Sequence, residues 1–159
     1  KLFVFSGGPL GNFASCDLHL KGPDGRQRHY QSVEHYFQAS KTLDPELHAK
    51  VANCSGPREA KQAGRTLLLR ADWEDQKLEI MRAALEAKFR QEPFRTKLMK
   101  TGQREIIEES RHDIEWGARR ADDGWEGENK LGRLLEEVRT HLFARDQEEC
   151  GEQLRLEVS

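Results

Sequence analysis

The chain has little cysteine. Cys16, Cys54 and Cys150 are far apart, odd in number and include no C-x-x-C pair. That excludes a disulfide framework and a cysteine-based zinc cluster, and makes a cytoplasmic location the expectation. The six histidines, His19, His29, His35, His48, His112 and His141, include no H-E-x-x-H or other metal-ligand spacing, so neither a catalytic metal nor a cofactor is expected. No apolar run is long enough to span a bilayer and no signal-peptide pattern is present, so no membrane partner is expected. No G-K-[ST] follows the glycines near the start and no G-x-S-x-G occurs, which removes the P-loop and the nucleophile elbow. Charge of one sign is lacking as well: 26 Lys and Arg against 28 Asp and Glu give a net charge of −2. That argues against broad charge-driven binding to nucleic acid, though not against a grip on one nucleotide or diphosphate. With 159 residues, no internal repeat and no linker composition, a single domain is expected.

What is present centres on Ser32-Val33-Glu34-His35-Tyr36-Phe37-Gln38-Ala39-Ser40-Lys41. The spacing predicts a helix capped by Ser32, with Glu34 in the first turn, where the helix dipole favours negative charge. At about 100° per residue, Val33, Tyr36, Phe37 and Ser40 form the predicted core side, and Glu34, Gln38 and Lys41 form a neighbouring polar stripe. Glu34 and Lys41 are about 10.5 Å apart along the axis, too far for an ordinary i,i+4 ion pair. A solvated face carrying three unrelated polar residues is the competing reading of this helix alone.

Before it, Leu2–Phe5 is predicted as a buried strand running into Ser6-Gly7-Gly8-Pro9-Leu10-Gly11-Asn12-Phe13. Three glycines and a proline there force a tight loop, which either turns the chain or brings backbone N–H groups to a phosphate or sugar. Leu18–Leu20 and Arg28–Tyr30 flank Gly22-Pro23-Asp24-Gly25 and predict a hairpin. After it, helices are predicted from Pro45 to about Asn53 behind Asp44, from Pro57 to Leu69, from Trp73 to about Gln91 behind Asp72, and from Pro93 to Lys100. Gly64 inside a helix implies that something packs closely against it, since glycine there costs about 1 kcal/mol relative to alanine. Arg65 beside it can anchor either a phosphate or a structural carboxylate. The helix from Trp73 carries a wide apolar face that includes Lys77 and Lys88, and Trp73 is assigned to the core. Arg104–Glu109 is predicted as a short strand, and Ala118–Gly127 as an aperiodic, substrate-facing loop. Asn129 is predicted to cap a final helix with a Leu131, Leu134, Leu135, Val138, Leu142 stripe, on which Gly132 permits a close approach. Residues 144–159 read as a loosely attached polar tail with an edge strand at Leu154-Arg155-Leu156. The division expected is thus a domain over residues 1–143 and a tail over 144–159.

The polar residues with least structural purpose are the Ser6–Asn12 loop, the Glu34/Gln38/Lys41 stripe, Arg65, and Asp113 with Trp116. A carboxylate, a lysine, a glycine loop and an aromatic plate suit a phosphorylated or nucleotide-like ligand. Glu34 and Asp113 form a candidate carboxylate pair, by analogy with the pairs that cleave glycosidic bonds.

The motifs F-S-G-G-P-L-G-N-F at 5–13, Y-x-S-V-E-H-Y-F-Q-A-x-K at 30–41, G-R at 64–65, D-W-E at 72–74, T-G at 101–102, D-x-x-W-G at 113–117 and G-x-N-x-L-G at 127–132 resemble the NADAR superfamily, also called YbiA-like. The resemblance covers about residues 3–143. It implies a mainly α (α+β) fold, a single compact multihelical domain with a few short N-terminal strands, and a metal-free N-glycosidase. Two substrates are implied: ADP-ribosylated guanine bases in DNA or RNA, and phosphorylated riboflavin-biosynthesis intermediates. The first leads, because no flavin-pathway enzyme is fused in this chain. A non-catalytic ADP-ribose or nucleotide-binding module is the alternative of another class. Carried over residue by residue, the resemblance implies catalytic roles for Glu34, Lys41 and Asp113. It implies substrate contacts at Ser6, Gly8, Gly11, Asn12, Phe13, Tyr30, Gln38, Arg65, Trp116, Gly117 and Asn129. The sequence departs from the family pattern at Gly11, where serine is familiar, and in the extra acidic residues of 118–128, which disfavour an extended nucleic-acid backbone nearby.

Overall fold

The computed structural model describes residues 1–157. In chain order the elements are β1 (Leu2–Phe5), a 3-10 turn (Gly8–Leu10), β2 (Leu18–Lys21), β3 (Gln27–Tyr30), α1 (Val33–Ala39), α2 (Pro45–Ala52), α3 (Pro57–Arg65), α4 (Trp73–Phe89), α5 (Phe94–Met99), β4 (Glu105–Glu108), β5 (Arg119–Ala121), β6 (Gly124–Glu126) and α6 (Lys130–Glu157). The fold class is mainly α with a few short strands, as expected. The chain divides into two compact units, Gly7–Phe94 and, separately, Lys1–Ser6 with the chain from Arg95 onward.

In the unit Gly7–Phe94, α1 is the hub, packed against α2, α3, α4 and β3. Ser32 caps it as predicted, with its Oγ accepting from His35 N at 3.2 Å. The same Oγ lies 2.7 Å from His35 Nδ1. Pro45 and Pro57 sit in the first turns of α2 and α3, where a missing N–H costs nothing. The helix predicted over Pro57–Leu69 ends earlier, at Arg65, and Thr66 Oγ1 closes back on Ala63 O at 2.8 Å. Asp72 stands at the start of α4 but makes no side-chain cap. Its carboxylate takes Arg70 Nε at 2.6 Å and Arg70 Nη2 at 2.9 Å instead. The core of this unit is built from Leu18, Tyr30, Val33, Phe37, Trp73, Met81, Leu85 and Phe89. Trp73 is a core residue, as predicted, tilted against Phe37 with ring centroids 5.1 Å apart.

In the other unit β1 pairs in parallel with β4, and α6 packs on β4. β1 is half-buried rather than buried. Gly132 is what lets α6 approach: a Cβ there would lie 2.1 Å from Ile106 O. Two expectations fail here. Residues 118–127 are no aperiodic loop but a hairpin of β5 and β6, with Arg119 opposite Glu126 and Arg120 opposite Trp125. Arg119 Nε donates to Glu126 Oε2 at 2.8 Å, and the Arg120 guanidinium lies 4.9 Å from the Trp125 ring centroid. Such cross-strand pairs hold a short polar hairpin without apolar alternation. Nor is there an edge strand at 154–156, because α6 runs without a break through Glu157. Residues 144–157 are rich in Glu, Gln and Arg, all good helix formers. Arg95 ties this stretch down through Asp146. The last two residues of the expected tail lie outside the described residues. Among the described residues no helix is long and apolar enough to cross a membrane.

Candidate active site

The polar stripe of α1 is not solvated. Glu34 and Gln38 are only 5% and 4% exposed. One helical turn apart, they meet: Gln38 Nε2 donates to Glu34 Oε1 at 2.7 Å. A carboxylate only accepts, so the amide must present its NH2 end to it. That orientation leaves Gln38 Oε1 buried with no hydrogen-bond partner, at a cost of about 1–3 kcal/mol. The amide is wedged in place by α3. A Cβ on Gly64 would fall 2.0 Å from Gln38 Oε1, which is the close packing that a glycine inside α3 implied.

The glycine loop is fastened to the start of α1. Gly7 and Gly8 adopt φ of 69° and 66°, a region that penalises side chains. Gly11 comes so close to Gly7 that a Cβ on it would lie 3.0 Å from the Gly7 backbone. A side chain at Gly11 would therefore press on the Gly7 backbone. Glu34 N donates to Asn12 O at 3.1 Å, so the catalytic candidate and the loop share one backbone bond. Asn12 Nδ2 reaches Met81 Sδ at 3.6 Å, while Asn12 Oδ1 is buried without a partner. On the far side, Lys88 Nζ donates to Gly11 O at 2.7 Å. Lys88 is fully buried, and its ammonium lies 5.0 Å from the Phe89 and Phe94 ring centroids. Desolvation pushes its pKa down to about 8. Burial likewise raises the nearby Cys16 thiol, although the Lys88 charge opposes this. Helical periodicity puts Lys88 on the apolar face of α4 and assigns it no function. A lysine on such a face is itself the signal for a buried acceptor.

The remaining candidates in this unit differ in placement. Lys41 is half-buried, with its ammonium 5.9 Å from the centroids of both Phe37 and Trp73. Phe13 is exposed, and the Lys61 ammonium stands 5.8 Å from its ring centroid. Arg65 is exposed at the end of α3. Tyr30 is fully buried, and its hydroxyl lies 2.7 Å from His48 Nε2. Burial lowers the pKa of both His48 and His35.

In the other unit Ser6 is exposed directly after β1. Asp113 organises a turn: its Oδ1 accepts from Glu115 N at 3.2 Å and from Trp116 N at 2.9 Å. Trp116 is buried. Gly117 is required by packing, since a Cβ would lie 2.7 Å from Glu108 O. Asn129, at φ 49°, does not use its side chain to cap α6. Its Nδ2 donates to Ile106 O at 2.8 Å and its Oδ1 accepts from Glu108 N at 3.1 Å, clamping β4. Both ends of its amide are thus engaged with β4.

The model of the NADAR domain matches residues 5–143. The chain is 36% identical over 139 residues to N-glycosidase YbiA of Escherichia coli, covering 85% of this chain and 81% of that one. It is 32% identical over 149 residues to the chloroplastic riboflavin biosynthesis protein PYRR of Zea mays; the match covers 86% of this chain but 23% of that longer protein. The NMR structure of E. coli YbiA superposes with a TM-score of 0.78 at 33% identity, covering 93% of this chain and 88% of the other. With the glycine loop, the Glu34–Gln38 stripe and the D-x-x-W-G turn all inside the matched span, this chain belongs to the NADAR domain family.

Proposed function

We propose that this protein is an N-glycosidase that hydrolyses an N-ribosyl bond, with Glu34 as its principal catalytic carboxylate. The observation that carries this is a buried glutamate held by a glutamine and joined through its own backbone N–H to a glycine loop. Cleavage breaks the bond between the anomeric carbon and the base nitrogen. The base leaves with a proton and water supplies the new hydroxyl. The transition state carries positive charge at the anomeric carbon. A carboxylate fixed in a water-poor site stabilises that charge without reorganising, and most of its effect appears in the transition state. Lys41, half-buried against two aromatic rings, would hold an anionic part of the substrate or tune Glu34. Asn12 Oδ1, a buried acceptor without a donor, suits a ribose hydroxyl. Asp113 is a further candidate acid or base, a role that rests on the family resemblance alone.

The relative named for riboflavin biosynthesis favours phosphorylated N-ribosyl intermediates of that pathway as substrate. The exposed Phe13 face with the Lys61 ammonium beside it favours a base and diphosphate, as in ADP-ribosyl-guanine. Incubation with each substrate class separates them by which one releases free sugar phosphate or ADP-ribose. Glu34→Gln should lose about 10²–10³-fold in kcat, the usual cost of removing one preorganised group, with an unchanged circular dichroism spectrum. A folded variant with wild-type turnover removes Glu34 from the mechanism. Calorimetric binding of ADP-ribose with no product over hours would make the protein a binding module instead.

A further inference from the structure

The β2–β3 hairpin carries a cluster of side chains that the glycosidase reading does not use. His19 and His29 are register partners on adjacent antiparallel strands. Side chains alternate across a strand, so Leu18 and Tyr30 go to the core while His19 and His29 share the solvent face. Asp17, immediately before β2, completes the group. His19 Nε2 lies 3.3 Å and His29 Nε2 2.5 Å from Asp17 Oδ1. The two imidazoles are 5.2 Å apart between centroids. One ligand-type atom from each of the three lies within 4.8 Å of the others.

We propose that Asp17, His19 and His29 bind a borderline divalent cation of the zinc class, with water completing the coordination, and that the bound ion clamps the two arms of the hairpin. With zinc–ligand bonds of about 2.0–2.1 Å, neighbouring ligands of a tetrahedral ion stand about 3.3 Å apart. The His19–Asp17 distance already has that value. The His29–Asp17 contact needs to open by less than an ångström. Two imidazoles and one carboxylate suit Zn(II), Ni(II) or Cu(II) rather than Mg(II) or Ca(II), which prefer oxygen ligands. The scaffold is prepared as well: the hairpin ladder fixes both histidines, and Gln91 Nε2 donates to Asp17 O at 2.6 Å. The three residues lie within thirteen positions, but no local metal motif joins them, because the turn rather than helical spacing brings His29 back to His19.

The test is a Zn(II) titration of tag-free protein by calorimetry, with Co(II) absorption reporting the ligand set. A Cys150→Ser background removes uptake by the one exposed cysteine. One saturable equivalent is expected, accompanied by a rise in Tm that follows metal concentration. His19→Gln and His29→Gln should each weaken binding by at least the roughly 10–100-fold that loss of an outer-sphere partner costs. Both residues are exposed, so the variants should keep the wild-type circular dichroism spectrum. His112→Gln, exposed in the other unit, should bind as wild type does. Unchanged affinity in either hairpin variant, or no saturable uptake at millimolar Zn(II), overturns the proposal.

Discussion

Gly64→Ala tests whether Gln38 is what holds Glu34. On helix propensity alone this change in α3 should stabilise the protein by about 1 kcal/mol. The structure argues for the opposite sign. The new methyl would sit 2.0 Å from Gln38 Oε1 and 2.9 Å from Gln38 Cβ and Cδ. Ordinary contacts are about 3.5–4.0 Å, so the amide must retreat by about 1.5 Å. That is enough to break its 2.7 Å bond to Glu34. Overpacking costs about 1–3 kcal/mol, and loss of a hydrogen bond to a charged group costs about 1.5–3 kcal/mol. Less the propensity gain, the net loss is about 1.5–5 kcal/mol. Because misplacing a catalytic group by about 1 Å costs on the order of 10²-fold, single-turnover release of the base should slow by about that factor. Urea denaturation and single-turnover assays read the two effects separately. A second variant, Gln38→Ala with Gly64→Ala, removes the clash and should recover the overpacking part of the lost stability but not the rate. If Gly64→Ala is more stable than wild type by about 1 kcal/mol and turns over normally, the clamp does not exist.

Four further perturbations follow from the same geometry. Lys88 gives an alkaline signature. Unfolded, it keeps its proton up to its ordinary value of 10.5; folded, it releases it near 8. The unfolded state binds more protons in between, so stability should rise from pH 8 to about 10, by up to about 3 kcal/mol. Subtracting the Lys88→Met curve cancels the opposing effect of the buried tyrosines, and a flat difference would refute it. His48 and His35, whose pKa values burial lowers below 6.5, should make stability fall as pH drops below 6.5, because the unfolded state takes up protons first. His48→Gln should flatten that acid limb in denaturant melts. Asp113→Asn keeps the turn acceptor Oδ1 but cannot exchange a proton. If Asp113 is a second acid or base, kcat should drop with Tm unchanged; wild-type kcat would reduce it to the turn residue that its two backbone bonds describe. Asn129→Ala, which removes two bonds to β4, should cost about 2–4 kcal/mol by urea denaturation.

The readable parts of this sequence were those governed by local chemistry. Ser32, Asp44, Pro45 and Pro57 mark helix starts through caps and a fixed φ, which need no partner elsewhere. Gly64 and Gly132 announced close approaches because glycine inside a helix is otherwise a cost. The β5–β6 hairpin leaves no signal in the sequence because its strands are three residues each and hold together by Arg–Glu and Arg–Trp pairs, not by apolar alternation. The extension of α6 is not legible in the sequence, because a composition rich in Glu, Gln and Arg suits a polar tail and a helix alike.

The sequence by itself determined the family, through motif order from Phe5 to Gly132, and the helix that carries Glu34, Gln38 and Lys41. It also determined the fold class, since caps, prolines and periodicity are short-range. Only the tertiary structure decided that Glu34 and Gln38 are buried rather than solvated. Burial depends on α3 closing over α1 at Gly64, a contact between residues 26 positions apart in the chain. It also decided that Lys88 supports the glycine loop, 77 residues away. Helical periodicity assigns a residue to a face, but which faces meet, and therefore which polar groups must find partners away from water, is fixed only when the helices pack.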